Sequence, residues 1–200
     1  MSLRSGDISS LVIDTLGDWA KGKNAAVACF YFDFAAQREQ SATSILSSLL
    51  KQIVCGLEEI PAKIAQEFRD QKNVIGGRKL GLGEIVEMLQ DISSSRPTFI
   101  CIDALDECMS DYRVELLNSL KQILHKPSRI RIFLAGRLQI QDEVEKHLAR
   151  RVVAVSIIPT KDDIVRFLRA KLKMDATPDA MDKSLEADIL KNIPETVSEM

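Results

Sequence analysis

Apolar residues along this chain recur at two spacings, one that suits helices and one that suits buried strands. Ile8, Leu11, Val12, Thr15, Leu16 and Trp19 fall at i, i+3, i+4, i+7, i+8 and i+11, the stripe of a helix with one buried face, so the chain opens on a helix. Ala25 to Phe34 is β-branched and aromatic enough for a buried strand, and a polar loop follows at Gln37 to Gln40. Ser41 to Val54 reads as a helix, Pro61 starts another at its first turn, and Leu82 to Ile92 forms a third. The glycines between Asn73 and Gly83 mark a loop. Thr98 onward is a continuous apolar run, as a strand covered on both faces must be. Val114, Leu117, Leu120 and Leu124 then mark a return helix. A strand over Ile130 to Ala135, a helix over Asp142 to Leu148 and a short strand over Val152 to Ile157 complete the alternation, which Pro159 stops. Strands alternating with helices predict an α/β fold, a parallel, right-handed sheet in three layers.

The character changes from Thr160. Ile164, Phe167, Leu168 and Leu172 make one amphipathic helix, a linker with Pro178 follows, and Met181 to Ile193 makes another before Pro194. The expected organisation is a core over residues 1–158 and the start of a helical subdomain over residues 159–200.

Composition narrows the function classes. With 200 residues, 46% of them hydrophobic and 28% charged, the chain can bury a full core. A net charge of -2 from 27 basic and 29 acidic residues, interspersed rather than blocked, gives no footprint for a nucleic acid. No apolar run approaches the roughly 20 residues of a membrane span. Cys29, Cys55, Cys101 and Cys108 lack C-x-x-C spacing and read as core thiols of a reducing compartment, which makes the expected location cytoplasmic.

Candidate chemistry lies at the end of the second strand. Thr98 to Glu107, Thr-Phe-Ile-Cys-Ile-Asp-Ala-Leu-Asp-Glu, is an apolar run ending in three carboxylates. Ligands of open α/β sheets sit beyond the carboxyl ends of the strands, so Asp103, Asp106 and Glu107 are placed to hold a hydrated Mg²⁺ and polarise a water, the content of a Walker B segment. The plainer alternative is that Asp103 and Asp106 end a core strand and favour the next helix through its dipole.

A Walker B segment implies a loop G-x-x-x-x-G-K-[ST] whose backbone N–H groups cradle phosphates. Gly17 to Asn24 has the glycine and lysine spacing, but Asn24 replaces the hydroxyl, and the segment follows a helix and precedes a strand instead of the reverse. Gly22 reads instead as a helix C-terminal glycine. Ahead of the first helix stands Met1-Ser-Leu-Arg-Ser-Gly-Asp7, without a lysine and with an aspartate where phosphates would lie.

Phe99 to Cys108, Ile132-Phe-Leu-Ala-Gly-Arg137, Ile164 to Leu172 and Met181 to Ile189 together resemble the NACHT modules of fungal NLR-like proteins and the related nephrocystin-type N-terminal NTPase, which often precede ankyrin or WD40 repeats. The resemblance implies a P-loop NTPase fold lacking its first strand and phosphate loop. It also implies a STAND-class signalling switch that uses ATP and Mg²⁺ and opens to self-associate or to engage effector and repeat domains. It would make Asp103 the Mg²⁺ ligand, Asp106 and Glu107 the catalytic pair that positions or activates water, and Arg137 the nucleotide-binding sensor. Leu138 stands where the family has proline. The family's phosphate-binding lysine and hydroxyl would fall at about Ser5 and Gly6, so a chain unable to hydrolyse ATP by itself is expected. Two other outcomes stay open: a competent Mg-ATPase once an upstream loop is supplied, and a non-catalytic α/β interaction domain. The absent strand is expected between the Walker B and sensor strands, where unpaired backbone groups at ~1 to 3 kcal/mol each would remove on the order of 10 kcal/mol. Direct pairing of the two flanking strands would avoid that loss.

Overall fold

The structure, a computed structural model, describes residues 5–57, 59–62, 64–66, 69, 80–126, 129–148, 151–157, 160–174 and 182–197. Helix α1 spans Ser5–Ala20, strand β1 Ala26–Tyr31, α2 Ala42–Cys55, α3 Leu82–Ser95, β2 Thr98–Asp103, α4 Ser110–His125, β3 Ile130–Leu134 and α5 Gln141–Leu148. The three strands form a parallel sheet in the order β1-β2-β3. Val27, Phe99 and Arg131 lie abreast, as do Cys29, Cys101 and Phe133.

Alternation along the strands separates two faces. Ala26, Ala28, Ile100, Ile102 and Ile130 join one buried cluster with Ile45, Leu46, Leu49 and Ile53 of α2, Ile85, Leu89 and Ile92 of α3 and Leu116, Leu117 and Leu120 of α4. On the opposite face Trp19 of α1 stacks edge-on against Phe99, with ring centroids 5.3 Å apart, and Ser9 meets Asp103. The sheet is thus sandwiched between α1 and the α2–α4 layer. Because Trp19 sits by the start of β2 and Ser9 by its end, α1 runs antiparallel to the strands, with its first turns at the carboxyl tip.

Local chemistry explains the element ends. The Ser41 hydroxyl accepts from the Ser44 N–H to cap α2. Gly22, with φ of 69°, turns the chain after α1, which is the helix-terminating role its position suggests. Residues 62, 64–66 and 69 are helical after Pro61. The polar loop expected at Gln37 to Gln40 is largely a 3-10 turn, Phe34–Glu39, capped by Asp33.

Two expectations need correction. Val152 to Ile157 forms no strand and joins no sheet among the described residues, and Val153, Val155 and Ile157 are exposed. Their alternation suits a strand, yet a strand also needs a ladder partner, and side-chain pattern carries no information about neighbours. Nor does any gap separate the Walker B and sensor strands: β2 pairs with β3 directly from Thr98 and Ile130 to Ile102 and Leu134. The penalty of unpaired central strands therefore does not arise. Among the described residues, the sheet's open edge lies instead on the outer side of β3.

The β1 edge is capped at one residue. Gln52 of α2 turns its amide onto β1, accepting from the Cys29 N–H at 2.9 Å and donating to the Cys29 carbonyl at 2.8 Å. One side chain thus takes the place of a neighbouring strand, a device that blunts an edge against stray pairing.

Core thiols are found at Cys101 and Cys108, whereas Cys29 is half-buried and Cys55 exposed. Of the aromatics expected inside, Phe32 is buried, but Tyr31 and Phe34 project into solvent and Trp19 is partly exposed.

The chain divides into two compact units, with the break between Ala154 and Val155. In the second unit α6, Lys161–Lys173, pairs with α7, Lys183–Val197. Thr160 and Asp163 form a reciprocal cap on α6, and the Thr160 bonds hold the Asp163 carboxyl below its ordinary value. Helix α7 does not stop before Pro194 but continues through it; a proline removes one ladder bond, which bends a helix more readily than it ends one. The Asn73 to Lys79 part of the expected glycine loop, Pro159 and the linker with Pro178 lie outside the described residues.

Candidate functional site: the acidic tip of the central strand

The carboxyl end of β2 is shaped by one unusual backbone residue. Ala104 takes left-handed dihedrals, φ 54° and ψ 41°, among the described residues the only non-glycine to do so. Such a conformation disfavours an L-residue by about 1 to 2 kcal/mol, and such strain collects where a chain must aim side chains. Here it inserts an extra residue into the ladder: the Ala135 N–H donates to the Ile102 carbonyl, but the Ala135 carbonyl accepts from Leu105 rather than Ala104. The chain then closes a 3-10 turn over Leu105–Glu107.

This kink sends the three acids in different directions. Asp103, still in the strand, is buried on the α1 face, where the Ser9 hydroxyl donates to its Oδ1 at 2.7 Å. Asp106 points toward the end of β3. Its Oδ1 accepts the Arg137 main-chain N–H at 3.1 Å, and its Oδ2 lies 3.4 Å from Arg137 Nε. The Asp106 side chain is 6% exposed and that of Arg137 75%. Glu107 is half-buried, and among the described residues no side chain pairs with its carboxylate. Its carbonyl accepts from Gln37 Nε2 at 2.6 Å.

Two further contacts hold the turn in place. Arg113, in the first turn of α4, donates to the Cys108 carbonyl at 2.7 Å and from Nε to Glu143 of α5 at 2.8 Å, a pair largely shielded from solvent. Gly136 sits against Asp106: a Cβ there would lie 2.8 Å from Ile140 Cδ1 and 3.3 Å from Asp106 Oδ1. A side chain at position 136 would make Ile140 shift and would crowd Asp106.

The sequence-expected residues Asp103, Asp106, Glu107 and Arg137 therefore do share one end of the sheet. They do not converge as one donor set. Among the described residues no group of three or more His, Cys, Asp or Glu side chains is arranged to hold a metal ion. Asp103 with Ser9 offers a carboxylate and a hydroxyl of the kind a Mg²⁺ takes. The first turn of α1 carries Ser5, Gly6 and Asp7, without a lysine. Ser9, Gly136 and Gln37 were not foreseen from the sequence. Ser9 carried no signal beyond lying inside the α1 stripe, and Gly136 only its place directly after a strand.

No helix among the described residues is long and apolar enough to cross a membrane. A family model described as nephrocystin 3, N-terminal, matches residues 7–137, which run from the first turn of α1 to the arginine at the end of β3. No curated protein matches the chain. Among solved structures, a Walker-type ATPase of Pyrococcus abyssi is similar over 97% of this chain and 67% of its own, at 16% identity and a TM-score of 0.47.

Proposed function

Because this chain belongs to the nephrocystin 3 N-terminal family, we propose that it is the acid-bearing part of a nucleotide-dependent switch module of NACHT type, unable to hydrolyse ATP by itself. The observation that carries this reading is the buried Asp103–Ser9 pair at the tip of the central strand, at the same end of the sheet as Arg137, under a helix whose first turn carries Asp7 and no lysine. Strand alternation sets Asp103 on the covered α1 face, and there the Ser9 hydroxyl helps to offset the desolvation of its charge.

A second reading, a competent Mg-ATPase, is favoured by the side on which α1 lies. Parallel crossovers are right-handed in roughly 98% of cases. The β1-to-β2 and β2-to-β3 crossovers both place their helices on the α2–α4 face. Helix α1 lies on the other face, so a parallel strand leading into it must enter from the opposite direction, past β3. That is the sheet's open edge. A strand there, ending in G-x-x-x-x-G-K-[ST] ahead of α1, would bring backbone N–H groups and a lysine to the end of the sheet where the acids lie.

Thermal unfolding with ATP and Mg²⁺ tests the first reading on this chain, and the same titration of the chain extended by a strand and such a loop ahead of α1 tests the second, which expects a rise there. Ligand at 100 times its dissociation constant adds about 2.7 kcal/mol, a rise of roughly 5 to 10 °C for a domain of this size. The chain as it stands is expected to show no rise. A rise of that size would refute the proposal in favour of an intact site.

A further inference from the structure

We infer that Asp106 is a positioning residue for Arg137, and that Glu107 is the acid left available for chemistry at the tip. Asp106 has both carboxylate oxygens committed to Arg137, one to the main-chain N–H at 3.1 Å and one facing Nε at 3.4 Å, and almost none of its side chain reaches solvent. With one oxygen taken by a main-chain N–H, the other facing a guanidinium and the side chain 6% exposed, Asp106 turns little of its acceptor capacity toward a water beyond the tip. Glu107, one residue on, has the opposite situation: partial exposure, and no side-chain partner for its carboxylate among the described residues.

The surrounding backbone is built for this contact. The extra residue at Ala104 turns Asp106 toward β3, and Gly136 leaves out the Cβ that would press on Asp106 Oδ1. The Gly136 position makes the same room for Ile140, whose Cδ1 would lie 2.8 Å from a Cβ there. The bond to the main chain fixes the Arg137 Cα, while the ion pair fixes only the direction in which a mostly exposed guanidinium sets out. Arg137 therefore has a set origin and a movable end, which is what an arginine that meets a ligand only part of the time requires. An anion reaching Arg137 would have to compete with Asp106 for Nε while the main-chain bond stays in place.

What Arg137 meets rests on the proposed function, but the positioning contact is testable without any nucleotide, so either claim can fail alone. The measurement is amide and arginine Nε–H hydrogen exchange by NMR on the full chain. Asp106→Ala removes both contacts, and the Arg137 amide and Nε–H are expected to exchange at least tenfold faster. Asp106→Asn keeps a carbonyl acceptor, so the amide is expected to stay within about threefold of the parent while Nε–H accelerates. Glu107→Gln changes the net charge by the same amount and is expected to leave both unchanged. Equal effects from Asp106→Asn and Glu107→Gln would overturn the inference and leave only a general charge effect. So would an Arg137 amide that exchanges at the parent rate in Asp106→Ala. If Asp106→Ala does not fold, the Asp106→Asn and Glu107→Gln comparison decides alone.

Discussion

Replacing Gly136 by alanine adds one methyl group at the point where the end of β3 meets the acidic turn. The new Cβ would lie 2.8 Å from Ile140 Cδ1, closer than real Cβ contacts allow, and 3.3 and 3.4 Å from Asp106 Oδ1 and N. Ile140 is only 8% exposed, so its terminal methyl must move within packed surroundings. Inserting a methylene into a packed region typically destabilises by about 1 to 3 kcal/mol. Against this, alanine narrows the unfolded ensemble and returns about 0.4 to 1 kcal/mol. The net expectation is a loss centred on about 1 kcal/mol, with the largest displacement at Ile140 and a smaller one at the Asp106 turn.

Urea unfolding monitored by Trp19 fluorescence measures this, provided the m-value is unchanged. The same substitution at Gly83, in the first turn of α3 with nothing within 4 Å of the added Cβ, supplies the opposite sign. There alanine should stabilise by about 0.5 to 1 kcal/mol through helix propensity alone. A Gly136→Ala chain as stable as the parent, alongside a stabilised Gly83→Ala, would refute the argument that close approach is what glycine provides at position 136.

Two more outcomes follow from the sheet and its thiols. Gln52→Leu strips the Cys29 N–H and carbonyl of their partners, so a loss of about 1 to 3 kcal/mol and concentration-dependent association through the reopened β1 edge are expected, read by urea unfolding and light scattering; an unchanged midpoint and a monomer at all concentrations would contradict the edge-cap assignment. Burial raises the Cys101 and Cys108 thiols from an ordinary 9.0 to about 11. The native state therefore holds protons that the unfolded chain has released. Their stabilising effect is complete below pH 9, falls between 9 and 11, and amounts to at most on the order of 3 kcal/mol per thiol at about 1.4 kcal/mol per pKa unit. Unfolding free energies at pH 8 and 10.5, compared with those of a Cys101→Ala, Cys108→Ala chain, test this: the parent must lose more over the interval. Iodoacetamide at pH 8 should meanwhile label exposed Cys55 well before either buried thiol.

The elements of the fold were legible because each is written in a local period. The apolar runs at Ala26 and Thr98 and the helical stripes of α1 and α4 all act within a few residues. The acids at the tip were legible for the same reason: a run of apolar residues ending in carboxylates is a local pattern. What joins them was not. Ser9 reaches Asp103 across 94 residues of sequence, Asp106 reaches Arg137 across 31, and Gln52 reaches Cys29 across 23. No periodicity records such pairings. The position of the open edge was misjudged for a related reason, since strand neighbours depend on which hydrogen bonds form, and Ile130 to Leu134 reads the same whether its neighbour is β2 or another strand.

The left-handed Ala104 ties these threads together. Had β2 continued straight, alternation would have set Asp103 on the α1 face and put the next residue but one, Leu105, on that face as well, with Asp106 turned toward α2–α4. The extra residue breaks that parity. Leu105 becomes fully buried and takes the Ala135 ladder bond, while Asp106 swings to the mouth of β3 and meets Arg137. One strained dihedral pair thus converts an alternating strand end into a division of tasks: a carboxylate held by a helix, a carboxylate held by a neighbouring strand's arginine, and a third without a side-chain partner among the described residues. A sequence selected only to end a core strand gains nothing from that arrangement, since glycine or asparagine at position 104 would turn the chain with less strain. The division is meaningful only if something beyond the tip is to be met by acids with different freedom to move, and the edge of β3 is the one place in the described sheet from which a further strand could bring it there.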